Sequence, residues 1–304
     1  MAHPMLWVAF AVAGSLSQLF RNSAQASLTA RIGTLGATQT RFVFGLPFAA
    51  AFLAIALWLT GEALPALTAK AAAWTLAGAL CQICGTAMML LVMGRRAFGV
   101  AYAYIKTEPV IVALLGVALL GDRLPPLAWV AVGLVTAGVV LASVRPEDMG
   151  ALLGEGRMIV AGIVSGAFFG LSGIAFRGGI WALPEGGFLI RSLTVLVISL
   201  AMQTTILGAW LALRDRAAFA GSVREWRSSL LAGFAGACAS SFFFTAFALT
   251  PAANVRTVAL VELPLAALVS GRLSGRRMAA HELAGLTAVM AGVGLLLWAT
   301  VRSG

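Results

Sequence analysis

The sequence predicts an all-α integral membrane protein of ten transmembrane helices, arranged as two inverted five-helix repeats. Three observations predict it. Of 304 residues, 61% are hydrophobic and 11% charged, whereas a soluble domain is about 25% charged, so there is too little polar surface to coat a globule of this length. The apolar residues run continuously over stretches of the roughly 20 residues that cross a bilayer, not in the alternating ~10-residue pattern of barrel strands. The chain also resembles itself when slid by 154 positions.

Taken in order, the spans fall near residues 5–28, 37–59, 71–93, 99–120, 127–144, 158–176, 187–213, 229–249, 252–272 and 282–301. The first lacks a cationic leader, and Ala11-Val12-Ala13 follows too short a run for a cleavage site, so it reads as a retained helix. Gln18 lies within it and Arg21 near its far end. The third holds Cys81, Gln82 and Cys84. The fourth carries Tyr102, Tyr104, Lys106, Glu108 and Pro109. Arg145-Pro146-Glu147-Asp148, after the fifth, divides the chain into halves, 1–146 and 147–304. The sixth has Gly162, Gly166 and Gly170 on one close-packing face, with Arg177 near its far end. The ninth carries Arg256, Glu262 and Pro264, and Cys238 sits in the eighth. All three Cys lie inside apolar runs, so no disulfide framework is indicated.

The offset of 154 superposes Glu108 on Glu262, Ala113-Leu114 on Ala267-Leu268, Gly121 on Gly275, Arg123 on Arg277 and Ala137-Gly138-Val139 on Ala291-Gly292-Val293. Across 105–141 it gives 11 identities in 37 positions. With small shifts, Phe20-Arg21 echoes Phe176-Arg177 and Leu76-Ala77-Gly78 echoes Leu231-Ala232-Gly233. Five spans per half is an odd number, so the second half enters the membrane from the opposite side. Inverted repeats of this kind are common among secondary transporters.

The net charge of +10 comes from nineteen Arg and two Lys, placed mostly between apolar runs where they meet headgroups. No basic patch on a soluble fold is visible, which argues against a nucleic-acid partner. Loops after odd-numbered spans hold most of the Arg, among them Arg31, Arg95, Arg96, Arg145, Arg214, Arg216, Arg224 and Arg227. By the positive-inside bias those loops are cytoplasmic and both termini outside.

Glu108-Pro109, then Leu119-Leu120-Gly121-Asp122-Arg123-Leu124 and Ala137-Gly138-Val139-Val140-Leu141, resemble the close of an EamA-type repeat, the unit of the drug/metabolite transporter superfamily. Glu262 to Leu295 resembles it more weakly: Gly275 is kept, but Arg276 stands where the family usually has Glu. The resemblance implies ten helices, a central cavity lined by helices 1, 3, 4, 6, 8 and 9, and transport without nucleotide hydrolysis. It also implies termini in the cytoplasm, against the charge bias.

Charges inside spans are the sharpest functional signal, because each costs roughly 2.5–3.5 kcal/mol at a helix centre and is normally paired or used. Lys106 and Glu108 in the fourth span and Arg256 and Glu262 in the ninth are such groups. Pro109 and Pro264 each remove a backbone donor next to a Glu, and a kinked helix with exposed backbone polarity suits a mid-depth site. Tyr102 and Lys106 share a helical face, as do Tyr104 and Glu108. The substrate-binding candidates are therefore Lys106, Glu108, Tyr102, Tyr104, Glu262, Arg256, Gln18 and Gln82. Lys106 would meet a carboxylate, and Glu108 or Glu262 an amino group or a proton. Against this stands a purely structural role for the ion pairs. Arg21 and Arg177 read as snorkelling to the interface, and Arg256 divides evenly between snorkelling and substrate contact.

Other motifs carry little. Cys81-Gln82-Ile83-Cys84 has redox spacing but lies in a membrane span. Gly170-Leu171-Ser172-Gly173 resembles an intramembrane-protease nucleophile, yet His3 and His281, at span ends, are the two His of the chain. No phosphate-binding loop occurs, and no metal-ligand spacing, so no metal, no cofactor and no enzymatic activity are expected. The expected function is secondary transport of a small metabolite, a probable exporter by alternating access around a mid-membrane cavity. The substrate is expected to be an amino acid or similar zwitterion, since the candidate site offers both charge signs; organic cations or drugs, a vitamin-like aromatic metabolite or an anion are alternatives. A membrane-embedded enzyme and a non-transporting scaffold or sensor, whose mark would be a packed interior, complete the range. The expected partners are the substrate and the lipid bilayer of the cell (inner, cytoplasmic) membrane, with proton coupling and a monomeric state.

Overall fold

The computed structural model describes residues 5–95, 108–143, 156–265 and 279–303, and among them it is helical with no strand. Six helices are long and apolar enough to cross a membrane, and Glu108–Leu120 and Pro126–Ala142 are shorter apolar helices. The chain is therefore all-α and of the multi-pass membrane kind. Their apolar side chains point outward as well as inward: Trp58, Leu213 and Leu59 are 81%, 79% and 69% exposed, which suits a lipid-facing exterior.

The helix α1 (Leu6–Thr60) contains a backbone break at Gly33, at φ 74° and ψ 171°, a combination open to glycine because it lacks a Cβ. There the chain folds back on itself. Gln25 Nε2 donates to the Ala37 carbonyl oxygen at 2.8 Å, whereas an unbroken helix would separate residues twelve apart by about 18 Å. The two arms, residues 6–32 and 34–60, correspond to the first two expected spans. Then follow α2 (Ala69–Arg95), α3 (Glu108–Leu120), α4 (Pro126–Ser143), α5 (Gly156–Trp181) and α6 (Phe188–Arg214). The short α7 (Arg216–Arg224) lies where the sequence suggests only a loop, its first turn capped by Asp215 Oδ1 on the Ala218 amide at 3.0 Å. The last are α8 (Trp226–Leu249), α9 (Ala252–Ala259) and α10 (Ala280–Ser303). The four-residue midpoint Arg145-Pro146-Glu147-Asp148 lies outside the described residues.

Packing has a regular scheme. α1 packs most extensively on α8, α2 on α5, and α4 on α10. The α4–α10 contact is antiparallel and close: a Cβ on Gly138 would fall 2.7 Å from the Gly285 carbonyl oxygen and 2.8 Å from the Val289 amide nitrogen. A Cβ on Gly292 would fall 3.1 Å from the Ala131 carbonyl oxygen and 3.0 Å from the Val135 amide nitrogen. Small residues at such crossings let backbones approach, which is how helices gain contact in lipid. The α2–α5 seam is built likewise, with Phe176 filling the space a Cβ on Gly78 would need, 2.6 Å away, and Ser165 Oγ donating to the Gly85 carbonyl at 2.9 Å.

Candidate functional site

These helices enclose a cavity in the middle of the bundle. Its walls are Gln18, Arg21 and Asn22 from the first arm of α1, Arg41 from the second, Gln82 and Met89 from α2, and Glu108 from the first turn of α3. Phe169 and Phe176 of α5, Ser240, Phe243, Phe244 and Phe247 of α8, and Arg256 of α9 complete it. The space among them wide enough for water is about 30 Å³, so the side chains close on one another in this conformation. The interior is polar on the α1 side and aromatic on the α8 side, a pairing typical of small-molecule sites.

Arg256 links the two characters. Its Nε lies 2.9 Å from Glu108 Oε1, a close contact of opposite charges without the alignment of a hydrogen bond. Its guanidinium also stands over the rings of Phe243 and Phe247, at 5.2 and 5.3 Å from their centroids, within cation–π range. Phe244 closes on Phe176 at 4.6 Å. On the polar side Arg21 Nη2 donates to Asn22 Oδ1 at 2.8 Å, and Arg41 Nη1 donates to Thr86 Oγ1 at 3.1 Å. Gln82 accepts from Gln203 Nε2 of α6 at 2.9 Å, which fixes its amide at the cavity wall.

α9 brings Arg256 inward on a helix that stops at Ala259. Leu260 and Val261 form a turn, and helix resumes over 262–265. Pro264 has no amide hydrogen for the Leu260 carbonyl, which instead accepts from Leu263 at 3.1 Å. Ser15 Oγ of α1 lies 2.9 Å from the Ala259 carbonyl oxygen that the break leaves outside the helical ladder. Polar backbone at this depth is sustained only where protein groups satisfy it.

Of the residues singled out from sequence, Gln18, Gln82, Glu108 and Arg256 meet at this one cavity. Glu262 is buried on the resumed helix just past the break and is not among the residues that line the cavity. Pro109 is buried in the first turn of α3 and Pro264 in the resumed segment. Lys106, Tyr102 and Tyr104 lie outside the described residues.

Two expectations are corrected. Arg21 and Arg177 do not snorkel: both are buried within the protein, at 3% and 2% exposure. Arg21 faces the cavity. Arg177 pairs through Nη1 with Asp122 Oδ1, donates from Nε to the Phe247 carbonyl at 3.2 Å and stacks on Trp181 at 3.8 Å. This cluster ties the α3–α4 turn to α5 and α8. Arg256, too, is drawn to Glu108 rather than to an interface.

Arg41 and the five Phe escaped the reading of the sequence. Arg41 had a signal, since it interrupts the apolar run 37–59 by the same criterion that marked Lys106. The Phe side chains had none, because aromatic residues on a membrane helix look alike whether they face lipid or cavity. Cys81 and Cys84 are free thiols, and no group of metal-ligating side chains occurs among the described residues.

No family model matches the chain, and no curated protein does. Among solved structures, one described only as "Crystal structure of protein" superposes over 97% of both chains with a TM-score of 0.69 at 15% sequence identity. At that identity the likeness concerns the fold alone.

Proposed function

We propose that this chain is a secondary transporter of the EamA-type drug/metabolite class, with ten transmembrane helices in two inverted five-helix repeats, moving a small carboxylate-bearing metabolite across the cell membrane. One observation carries the reading: a mid-bundle cavity whose polar wall holds Arg21, Arg41, Glu108 and Arg256, drawn from both halves of the chain. Buried ionised groups in a membrane protein usually mark a substrate or ion path. A packed scaffold gains nothing from ionised groups gathered at its centre.

The helix pairings support the inverted repeat. Adding 154 to Ala131, Val135 and Gly138 gives Gly285, Val289 and Gly292, so the two contacts of the α4–α10 crossing exchange with each other, atom type for atom type. A two-fold axis between antiparallel equivalents has that signature. The α1–α8 and α2–α5 pairings exchange in the same way, first-half helix for second-half helix. In such folds transport proceeds by rocking one repeat against the other around the fixed site.

Amino acids remain within the proposed class, with an Arg for the carboxylate and Glu108 for the ammonium group. Organic cations fit less well, since three guanidiniums share the walls with a single carboxylate. Glu108 and Glu262 are the candidate proton carriers. The test is counterflow in proteoliposomes with radiolabelled amino acids, carboxylates and organic cations. Saturable flux of a carboxylate-bearing compound is expected, reduced at least tenfold in Arg41→Gln; flux confined to lipophilic cations would refute the substrate class, and no flux of any compound the transport reading.

A further inference from the structure

Among the described residues, cationic side chains outnumber carboxylates at the cavity wall. Three guanidiniums, Arg21, Arg41 and Arg256, share its wall with one carboxylate, Glu108. Even counting Glu262, buried on the helix that resumes after α9, there are three cations to two anions. Asp122, the other buried carboxylate of α3 and its turn, is taken by Arg177.

Arg41 is where the surplus concentrates. It is 4% exposed, it donates to a neutral hydroxyl, Thr86 Oγ1 at 3.1 Å, and no carboxylate among the described residues lies within ion-pair distance of it. Arg21 and Arg41 approach the same point on α8, 3.3 and 3.6 Å from where a Cβ on Gly236 would lie, and share the cavity wall with Arg256. A buried cation without a counter-charge costs several kcal/mol, and a chain retains one where a ligand supplies the missing charge. The guanidinium fork matches a carboxylate in two parallel N–H···O bonds. The same cavity is lined by the rings of Phe243, Phe244 and Phe176, surfaces suited to a flat apolar body.

We propose that the cavity selects a substrate of net negative charge: a monocarboxylate with a planar apolar body, its carboxylate held by Arg41 and its body among the Phe rings. This rests on the transport reading and narrows it, replacing the neutral zwitterion by an anion. The carboxylate offsets the cationic surplus that an amino acid, with its own ammonium group, leaves in place.

Three probes share one indole body and differ in charge: indole-3-acetate (−1), tryptophan (0) and tryptamine (+1). Binding to the purified full-length protein in detergent micelles, measured by calorimetry, is expected to fall in that order, with indole-3-acetate at least about tenfold tighter than tryptophan. Arg41→Gln, checked for folding by its melting curve, should weaken indole-3-acetate binding at least tenfold and abolish its preference over tryptophan, and Arg41→Lys should recover part of the preference. Tryptophan binding as tightly as indole-3-acetate to the wild-type protein overturns the inference, as does binding of none of the three; neither result depends on a variant that folds. Should the affinities follow the expected order while proteoliposomes show no flux, the anion site stands and the transport reading falls.

Discussion

At the scale of single residues, what distinguishes one buried charge from another is its partner. Arg177 is held by Asp122, a backbone carbonyl and the Trp181 ring, all within the protein. Its role is to fasten the turn after α3 to α5 and α8. Asp122→Asn keeps the shape but leaves a buried guanidinium without its counter-charge, and removing one partner of such a pair costs about 3–5 kcal/mol. The expected outcome is a melting temperature lowered well beyond that of Glu225→Gln. Glu225 pairs with Arg31 at 3.2 Å with side chains 30% and 61% exposed, and exposed pairs contribute about 0–1 kcal/mol. Thermal unfolding of the two variants side by side checks it; equal losses would mean that the Asp122 pair is no more than a surface contact in effect. Much of this was legible only in part. Glu108, Arg256, Gln18 and Gln82 stand out in sequence because lipid tolerates few such groups. Which cation meets which carboxylate did not follow, because Arg256 is drawn not to Glu262, six residues ahead on its own span, but to Glu108, 148 residues away in the other half. Side-chain pairing across a bundle depends on helix rotation, which an apolar run does not encode when every face is apolar.

At the scale of elements, two glycines limit the fold for different reasons, and substitutions separate them. Gly33 has open space where a Cβ would go, so Gly33→Ala meets no clash. Its φ of 74° with ψ of 171° is nonetheless a region that L side chains avoid, at a cost of about 1–3 kcal/mol. Gly138 is the reverse case: its helical backbone suits alanine, but the Cβ would enter the backbone of α10, 2.7 Å from the Gly285 carbonyl. Gly138→Ala should force α4 and α10 apart, lowering thermal stability, whereas Gly294→Ala, with nothing within 4 Å, should be neutral or slightly stabilising. Unfolding curves of the three variants test both mechanisms at once; a Gly294→Ala loss equal to that of Gly138→Ala would show that the α4–α10 crossing is looser than its geometry. The spans were readable because a bilayer dictates the length of an apolar run, and the described helices coincide with most of them. The reversal at Gly33 and the interruption at Leu260–Val261 were not read, since each turns on a backbone angle at one or two residues inside an otherwise continuous apolar sequence.

At the scale of the whole molecule, the proposed two-fold relation and the charge of the loops together fix an expectation for orientation. The α4–α10 crossing supports antiparallel halves, so loops alternate sides along the chain, and Arg residues crowd the odd-numbered ones. The positive-inside bias then puts the α6–α8 connection, with Arg214, Arg216, Arg224 and Arg227, in the cytoplasm and the α5–α6 turn outside. Ala217 in α7 and Glu185 in the α5–α6 turn are exposed positions on these two connections. In a variant whose three native Cys (81, 84 and 238) are replaced, a cysteine at Ala217→Cys should react with a membrane-impermeant maleimide only in inside-out vesicles. One at Glu185→Cys should react only in intact cells or right-side-out vesicles. The opposite pattern would put the termini in the cytoplasm, as the family resemblance implies, and would show that loop charge does not set the topology of this chain. Either result also decides which face the Asp122–Arg177 cluster lies near, because that cluster sits at the same end of α3 and α5 as Glu185. With the charge-bias orientation the cluster lies at the external ends of α3 and α5, and on the proposed transport reading breaking it with Asp122→Asn should raise the rate at which external substrate reaches Arg41.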